Sequence, residues 1–162
     1  MKQGGWYATA LICLNGHIVT SDMETFPEKV VTHCPRCGEK TINKCPSCGA
    51  KIRGYHHTPG VVAIYTPELP LFCWNCGAPY PWTVRKQKAL NDIIDDIKKL
   101  SDSEKEELKK AVDDLVRETP YWRRGALKLK TLADKIGEET WNLIKAIIIE
   151  LLTETVKKEL GL

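Results

Sequence analysis

The sequence lacks any apolar run long enough to cross a membrane, which needs about 18 residues. Its longest apolar stretch, at residues 146–152, is interrupted by Glu150. The first residues also lack the apolar segment that follows a basic start in a secretory signal. We therefore expect a cytoplasmic protein that does not span a membrane.

The sequence also lacks the short motifs of common enzyme classes. It contains no glycine-rich phosphate loop, no G-x-S-x-G and no H-E-x-x-H. A large excess of basic charge is missing too, because the formal net charge is only +3 over 162 residues. We therefore expect a protein that is not an enzyme, and the charge does not favour a nucleic-acid footprint.

Cysteine, by contrast, is plentiful. There are seven cysteines, an odd number, and six of them stand in C-x2-C pairs. In an oxidising compartment seven cysteines would suggest disulfides, but paired spacing in a cytosolic protein is typical of metal ligation.

The candidate ligands form four short pairs: Cys13 with His17, Cys34 with Cys37, Cys45 with Cys48, and Cys73 with Cys76. Eight ligands fill two tetrahedral sites with none left over. Zinc favours thiolate and imidazole, and a site with four protein ligands is closed and structural. We therefore predict that these eight residues bind two structural Zn²⁺ ions as cofactors, and no open position remains for catalysis.

Spacing alone leaves three ways to share the metals. Sequential pairing joins the first pair to the second and the third to the fourth, with spacers of 16 and 24 residues. Nested pairing would join the two central pairs across seven residues, and a cross-brace would alternate the pairs. The spacers favour the sequential arrangement, which suits two successive zinc ribbons.

Composition divides the chain near residue 82. Residues 1–82 hold every cysteine and histidine, eight of nine prolines and eight of eleven glycines. Such a segment forms turns and short strands and cannot build a large apolar core. We predict an α+β protein with a tandem zinc-ribbon domain at 1–82 and a helical domain at 83–162.

Apolar spacing predicts four helices in the second domain. The first follows a cap at Thr83, and the second starts at a capping box, Ser101 to Glu104. The third covers about 123–136, and the last runs from about 138 to 159.

The last of these helices is apolar on more than one side, so it suits either the centre of a bundle or an interface. We favour self-association or docking of a partner protein, with Ile148 and Leu152 among the contact residues.

Aromatic and histidine residues outside the pairs have two interpretations each. Trp74, Tyr80 and Trp82 suit a miniature core, with base stacking as the competing use. His56 and His57 suit an exposed turn or a partner-binding loop. Residues 121–124, Tyr-Trp-Arg-Arg, suit a hinge or a contact with phosphate or an acidic partner.

Two segments carry a family resemblance. Cys13-Leu14-Asn15-Gly16-His17 followed by Cys34-Pro35-Arg36-Cys37-Gly38 resembles a bacterial ribbon pattern, and the stretch from Cys45 to Gly77 resembles a second ribbon. With its helical tail, the chain is similar to a family of uncharacterised bacterial proteins, a domain of unknown function. The resemblance implies tandem zinc ribbons and implies no activity.

These observations favour a non-catalytic zinc-binding interaction or scaffold protein. The alternatives are a nucleic-acid- or ribosome-binding ribbon protein and a RING-like adaptor in ubiquitin-type transfer. The adaptor would need cross-brace pairing, and the ligand order departs from the RING pattern.

Overall fold

Short antiparallel strands occupy the N-terminal half of the chain and helices the C-terminal half in the computed structural model, which describes residues 4–62, 65 and 67–161. Contacts divide the chain into two units, Met1–Arg85 and Lys86–Leu162. The predicted α+β fold class is confirmed.

The strands form two small sheets. They are β1 (Trp6–Thr9), β2 (Leu11–Cys13), β3 (Ile18–Thr20), β4 (Thr41–Ile42) and β5 (Arg53–His57), with a 3-10 helix at Pro27–Lys29. One sheet has the order β3-β2-β4, and the other pairs β1 with β5, all antiparallel. Because β1 pairs with a strand that follows the third ligand pair, the N-terminal unit is tied together across most of its length.

The apolar core of the N-terminal unit is small and includes two of the candidate ligands. Its buried members are Ala10, Ile12, Cys45, Ile52, Cys73, Tyr80 and Trp82. The rings of Tyr80 and Trp82 stack with centroids 4.7 Å apart. The prediction that these two residues form a miniature core is confirmed.

Trp74 does not belong to that core, and this part of the prediction is wrong. Its side chain is 51% exposed. The indole Nε1 donates a hydrogen bond to the Lys51 carbonyl oxygen at 3.0 Å, which holds the ring against the surface. A ring fixed at the surface is free to contact another molecule.

Five α-helices lie in the described part of the chain: α1 (Pro81–Asp95), α2 (Asp102–Val116), α3 (Trp122–Ile136), α4 (Glu138–Ile149) and α5 (Glu154–Leu160). The capping box is present, with Ser101 Oγ accepting from Glu104 N–H at 3.3 Å and the Glu104 carboxylate accepting from Ser101 N–H at 2.9 Å. No helix among the described residues is long and apolar enough to cross a bilayer.

The first helix starts earlier than expected. It begins at Pro81, whose fixed φ suits the first helical turn. Thr83, predicted as the cap, lies inside the helix, and its hydroxyl donates to the Leu71 carbonyl at 2.7 Å.

The predicted last helix is broken into α4 and α5. Glu150 and Leu151 close the end of α4 by donating to Ile147 and Ile148 carbonyls at 3.2 and 2.8 Å. The backbone of Thr153 is then extended and starts α5. On one straight helix the apolar residues 147–152 would face several directions, whereas the break lets Leu151 be fully buried.

The break also changes which residues face solvent. Ile148 and Leu152, expected at an interface, are 0% and 6% exposed and belong to the core. Leu127 on α3 and Leu143 on α4 are 68% and 58% exposed. Self-association stays a prediction, and Leu143 replaces the two buried residues as its test position.

Replacing Ile148 by Ala should destabilise the helical unit by about 2–5 kcal/mol, because it removes fully buried methyl groups and leaves a cavity. The matched change Leu143→Ala, at an exposed site on the same helix, should alter the free energy of unfolding by less than about 0.5 kcal/mol. Urea unfolding followed by far-UV circular dichroism measures both. Equal effects would contradict the described packing.

Replacing Leu143 by Glu should lower the molar mass seen in light scattering, because a charge placed in an apolar contact between copies disfavours association. Lys145→Glu, a charge change two positions along the same helix, is the control. A monomeric wild-type chain would contradict self-association.

Candidate metal centres

The three C-x2-C pairs are built as the same tight turn. In each, the N–H of the first cysteine donates to the carbonyl five residues later at 2.8 Å, and the N–H of the following glycine returns to the carbonyl of that cysteine at 2.8 Å. The glycines after the pairs, Gly38, Gly49 and Gly77, have φ of 72°, 75° and 71°. Because glycine adopts positive φ without steric cost, the turn closes tightly.

The remaining pair, Cys13 with His17, lies where β2 passes into β3. Cys13 N–H donates to the His17 carbonyl at 3.0 Å, and His17 N–H approaches Cys13 Sγ at 3.3 Å. Gly16 between them has φ of 88°, and a Cβ there would lie 3.0 Å from Leu69 and 3.1 Å from Trp82. This turn therefore requires glycine for its backbone and for the space around it.

The eight candidate ligands meet in two groups. Cys13, His17, Cys34 and Cys37 form one group, and Cys45, Cys48, Cys73 and Cys76 form the other. Within each group the ligand atoms lie within 4.8 Å of one another. The pairs are therefore joined sequentially, and the described residues do not show the nested or cross-brace arrangement.

Distances between sulfur atoms suit a shared metal ion. Cys13 Sγ lies 3.8 Å from Cys37 Sγ, and the Cys45–Cys76 and Cys48–Cys73 separations are 3.8 and 3.7 Å. A disulfide would require about 2.05 Å. A tetrahedral ion with metal–sulfur bonds of about 2.3 Å places its sulfurs about 3.8 Å apart. Both groups could therefore hold a four-coordinate metal.

Backbone donors favour the thiolate form that binds metal. Burial acts to raise the pKa of Cys73, but the N–H groups of Cys76 and Asn75, together with the side chains of Cys45 and Cys48, lower the pKa to about 6. Burial also acts to raise the pKa of Cys34, and the N–H groups of Arg36 and Cys37 lower it. A lower thiol pKa places more of these sulfurs in the ligating state near neutral pH.

Crowding of sulfurs limits how many can be charged without a cation. The N–H of Ala78 acts to lower the pKa of Cys76, yet the neighbouring Cys48 thiol and burial raise it to about 12. A divalent ion would remove this conflict, because it offsets the charge of the thiolates that it binds.

Sequence reasoning missed two asparagines beside the sulfurs. Asn15 Nδ2 donates to Cys37 Sγ and Asn75 Nδ2 donates to Cys48 Sγ, both at 3.6 Å. Each stands two positions after a cysteine, which is the shared signal that could have identified them. Arg85 Nη1 holds the Asn15 amide by donating to its Oδ1 at 2.6 Å. Such outer contacts orient ligands and tune the site.

The other histidines lie outside both groups. His56 and His57 belong to strand β5, so their prediction as an exposed turn is wrong. His57 Nε2 lies 2.7 Å from the carboxylate of Asp22, and its ring stacks on Trp6 with centroids 4.3 Å apart. His33 flanks the second ligand pair in a bridge with Lys40. These three histidines therefore make their contacts within the N-terminal unit and join neither ligand group.

Two cysteine-rich clusters in a small antiparallel unit, followed by helices, define an α+β protein with two candidate metal centres. The chain belongs to the family described as uncharacterised protein conserved in bacteria (DUF2321), whose model matches residues 6–160. Comparisons with curated proteins and with solved structures gave no match. The family resemblance predicted from the cysteine segments is confirmed.

Replacing Cys34 or Cys73 by Ser should release one metal ion and unfold the ribbon that carries the change. Binding energy at such sites is folding energy, on the order of 10 kcal/mol or more. Metal content and amide NMR spectra measure the two effects. Ser47→Ala, at an exposed non-ligand position of the third turn, is the control. Metal loss with an unchanged ribbon spectrum would contradict the assignment.

Proposed function

We propose that this protein binds two structural Zn²⁺ ions and serves as a non-catalytic interaction or scaffold protein. The observation that carries the proposal is the pair of ligand groups with sulfur separations of 3.7–3.8 Å. These separations suit tetrahedral coordination of a metal ion by thiolates.

The ligand sets favour zinc among the available metals. One group offers three sulfurs and an imidazole, and the other offers four sulfurs. Soft thiolates disfavour magnesium and calcium, while tetrahedral S₄ and S₃N sets are typical of zinc. Iron also accepts four thiolates, so the experiment must identify the element.

A structural role follows from coordination and burial. Four protein ligands complete each tetrahedron, so an ion held there would keep no position for a substrate or a reactive water. Cys34, Cys45 and Cys73 are each only 3% exposed, and Cys45 and Cys73 pack in the apolar core. An ion in either centre would therefore stabilise the fold around it.

An interaction role suits what remains on the surface. The eight ligands would serve to stabilise the fold, which leaves other surface residues for binding a partner. The N-terminal unit presents several aromatic side chains to solvent, among them Trp6 and Trp74 at 47% and 51% exposure. We further propose a reducing compartment such as the cytoplasm, because seven thiols kept for metal require protection from oxidation. The sequential pairing lacks the cross-brace on which a RING-like adaptor depends.

Purified protein should contain two zinc ions per chain by elemental analysis. A strong chelator should unfold the ribbons, measured by near-UV circular dichroism of Tyr80 and Trp82, because their core includes two ligands. Added Zn²⁺ should restore the signal and Mg²⁺ should not. A single zinc ion per chain, or iron in its place, would contradict the proposal.

A further inference from the structure

An arginine lies over two exposed aromatic rings on the N-terminal unit. The guanidinium carbon of Arg53 is 3.9 Å from the centroid of Trp74 and 4.7 Å from that of Tyr7. Tyr7 and Trp74 are 50% and 51% exposed. Both rings therefore contact the guanidinium, whose N–H groups can donate hydrogen bonds to a ligand.

Backbone structure holds these three side chains in place. Arg53 pairs with Thr9 across the β1–β5 ladder, which brings it beside Tyr7. Trp74 sits inside the fourth ligand pair and is fixed by its hydrogen bond to Lys51. A site built on strands and a tight turn is pre-organised, so little ordering is needed when a ligand binds.

Two lysines extend the positive charge. Lys51 precedes Arg53 by two residues, and Lys44 pairs with Lys51 across an antiparallel bridge. Directly opposed residues in such a bridge have Cβ atoms about 4.5–5.5 Å apart. We call Tyr7, Lys44, Lys51, Arg53 and Trp74 the aromatic-basic face.

Only one carboxylate is described at this face. Glu24 lies 3.5 Å from Lys51 Nζ, and it is also engaged by the N–H and hydroxyl of Thr9. Among residues 4–62, 65 and 67–161, no carboxylate lies within ion-pair distance of Lys44 or Arg53. Three cations against one carboxylate leave local positive charge on a unit whose overall charge is small.

We infer that the aromatic-basic face binds single-stranded nucleic acid. Unpaired bases stack on aromatic rings and phosphates pair with nearby cations, and both kinds of group are present here. An acidic peptide would use the cations but would leave the half-exposed rings of Tyr7 and Trp74 uncovered. The inference rests on the proposed zinc role, because Lys44 and Trp74 flank or occupy ligand pairs.

Binding is tested on the full zinc-loaded chain with fluorescently labelled oligouridylate and oligothymidylate of about 12 nucleotides, a length within the usual range of such sites. Anisotropy gives the affinity at several salt concentrations. Three phosphate contacts predict a slope of log affinity against log salt of about −2. The two oligonucleotides show whether the ligand is RNA or DNA, and binding of either one supports the inference.

Variants separate stacking from charge. Trp74→Ala should weaken binding by about fivefold or more, the range for losing one stacked base. Arg53→Lys keeps the charge but loses the planar guanidinium, so the affinity should fall while the slope of log affinity against log salt stays unchanged. Lys44→Gln should reduce the slope by about 0.7. The controls Lys130→Gln and Tyr121→Ala, exposed in the helical unit, should change neither quantity.

Several results would overturn the inference. One is a wild-type chain that carries two zinc ions and binds neither oligonucleotide, which would leave the zinc proposal standing. A second is equal competition by polyglutamate of matched charge, which would identify an acidic peptide site. A third is loss of binding in Tyr121→Ala but not in Trp74→Ala. Binding by a chain without zinc would instead refute the proposed metal role alone.

Discussion

The N-terminal unit depends on one constraint: four tight turns must bring eight ligand atoms to two points. The apolar core around those points is small, and Cys45 and Cys73 belong to both core and cluster. Crowded sulfurs, as at Cys76, oppose one another's ionisation. The same residues could therefore hold a cation that offsets their charge, and they supply part of the core in which Trp82 packs. An ion bound in this cluster would therefore couple metal ligation to hydrophobic burial.

Local sequence patterns predicted much of the ligand geometry and of the helix starts. The ligand turns and the capping box at Ser101 involve residues a few positions apart, so their structures follow from neighbouring side chains. The family resemblance also followed from these segments. The pairing between turns did not follow from spacing alone, because 16- and 24-residue spacers allow several closures. The observed grouping is the sequential one that the spacers favoured.

Longer-range packing decided what the sequence could not predict. The helix break at 150–153 places Leu151 and Leu152 in the core, and helical spacing alone did not predict it. Trp74 faces solvent because a carbonyl from another turn and Arg53 hold it there. The contact of Asn15 with Cys37 joins residues 22 positions apart. Each of these outcomes depends on partners distant in sequence, which periodicity and motif spacing do not report.

Sequential grouping has a consequence for the order of events during synthesis. The ligands of the first group end at Cys37, and those of the second begin at Cys45, so the two loops do not overlap. The entropic cost of closing a loop grows slowly with its length, by about 0.6 kcal/mol per doubling, so the two loops close at similar cost. If the first group binds an ion, it could do so before the ribosome has synthesised Trp82, which packs against the turn at Gly16. Strand β1 cannot form its sheet until its partner β5 has been synthesised. In the emerging chain, metal coordination by the first group would thus precede assembly of the apolar core.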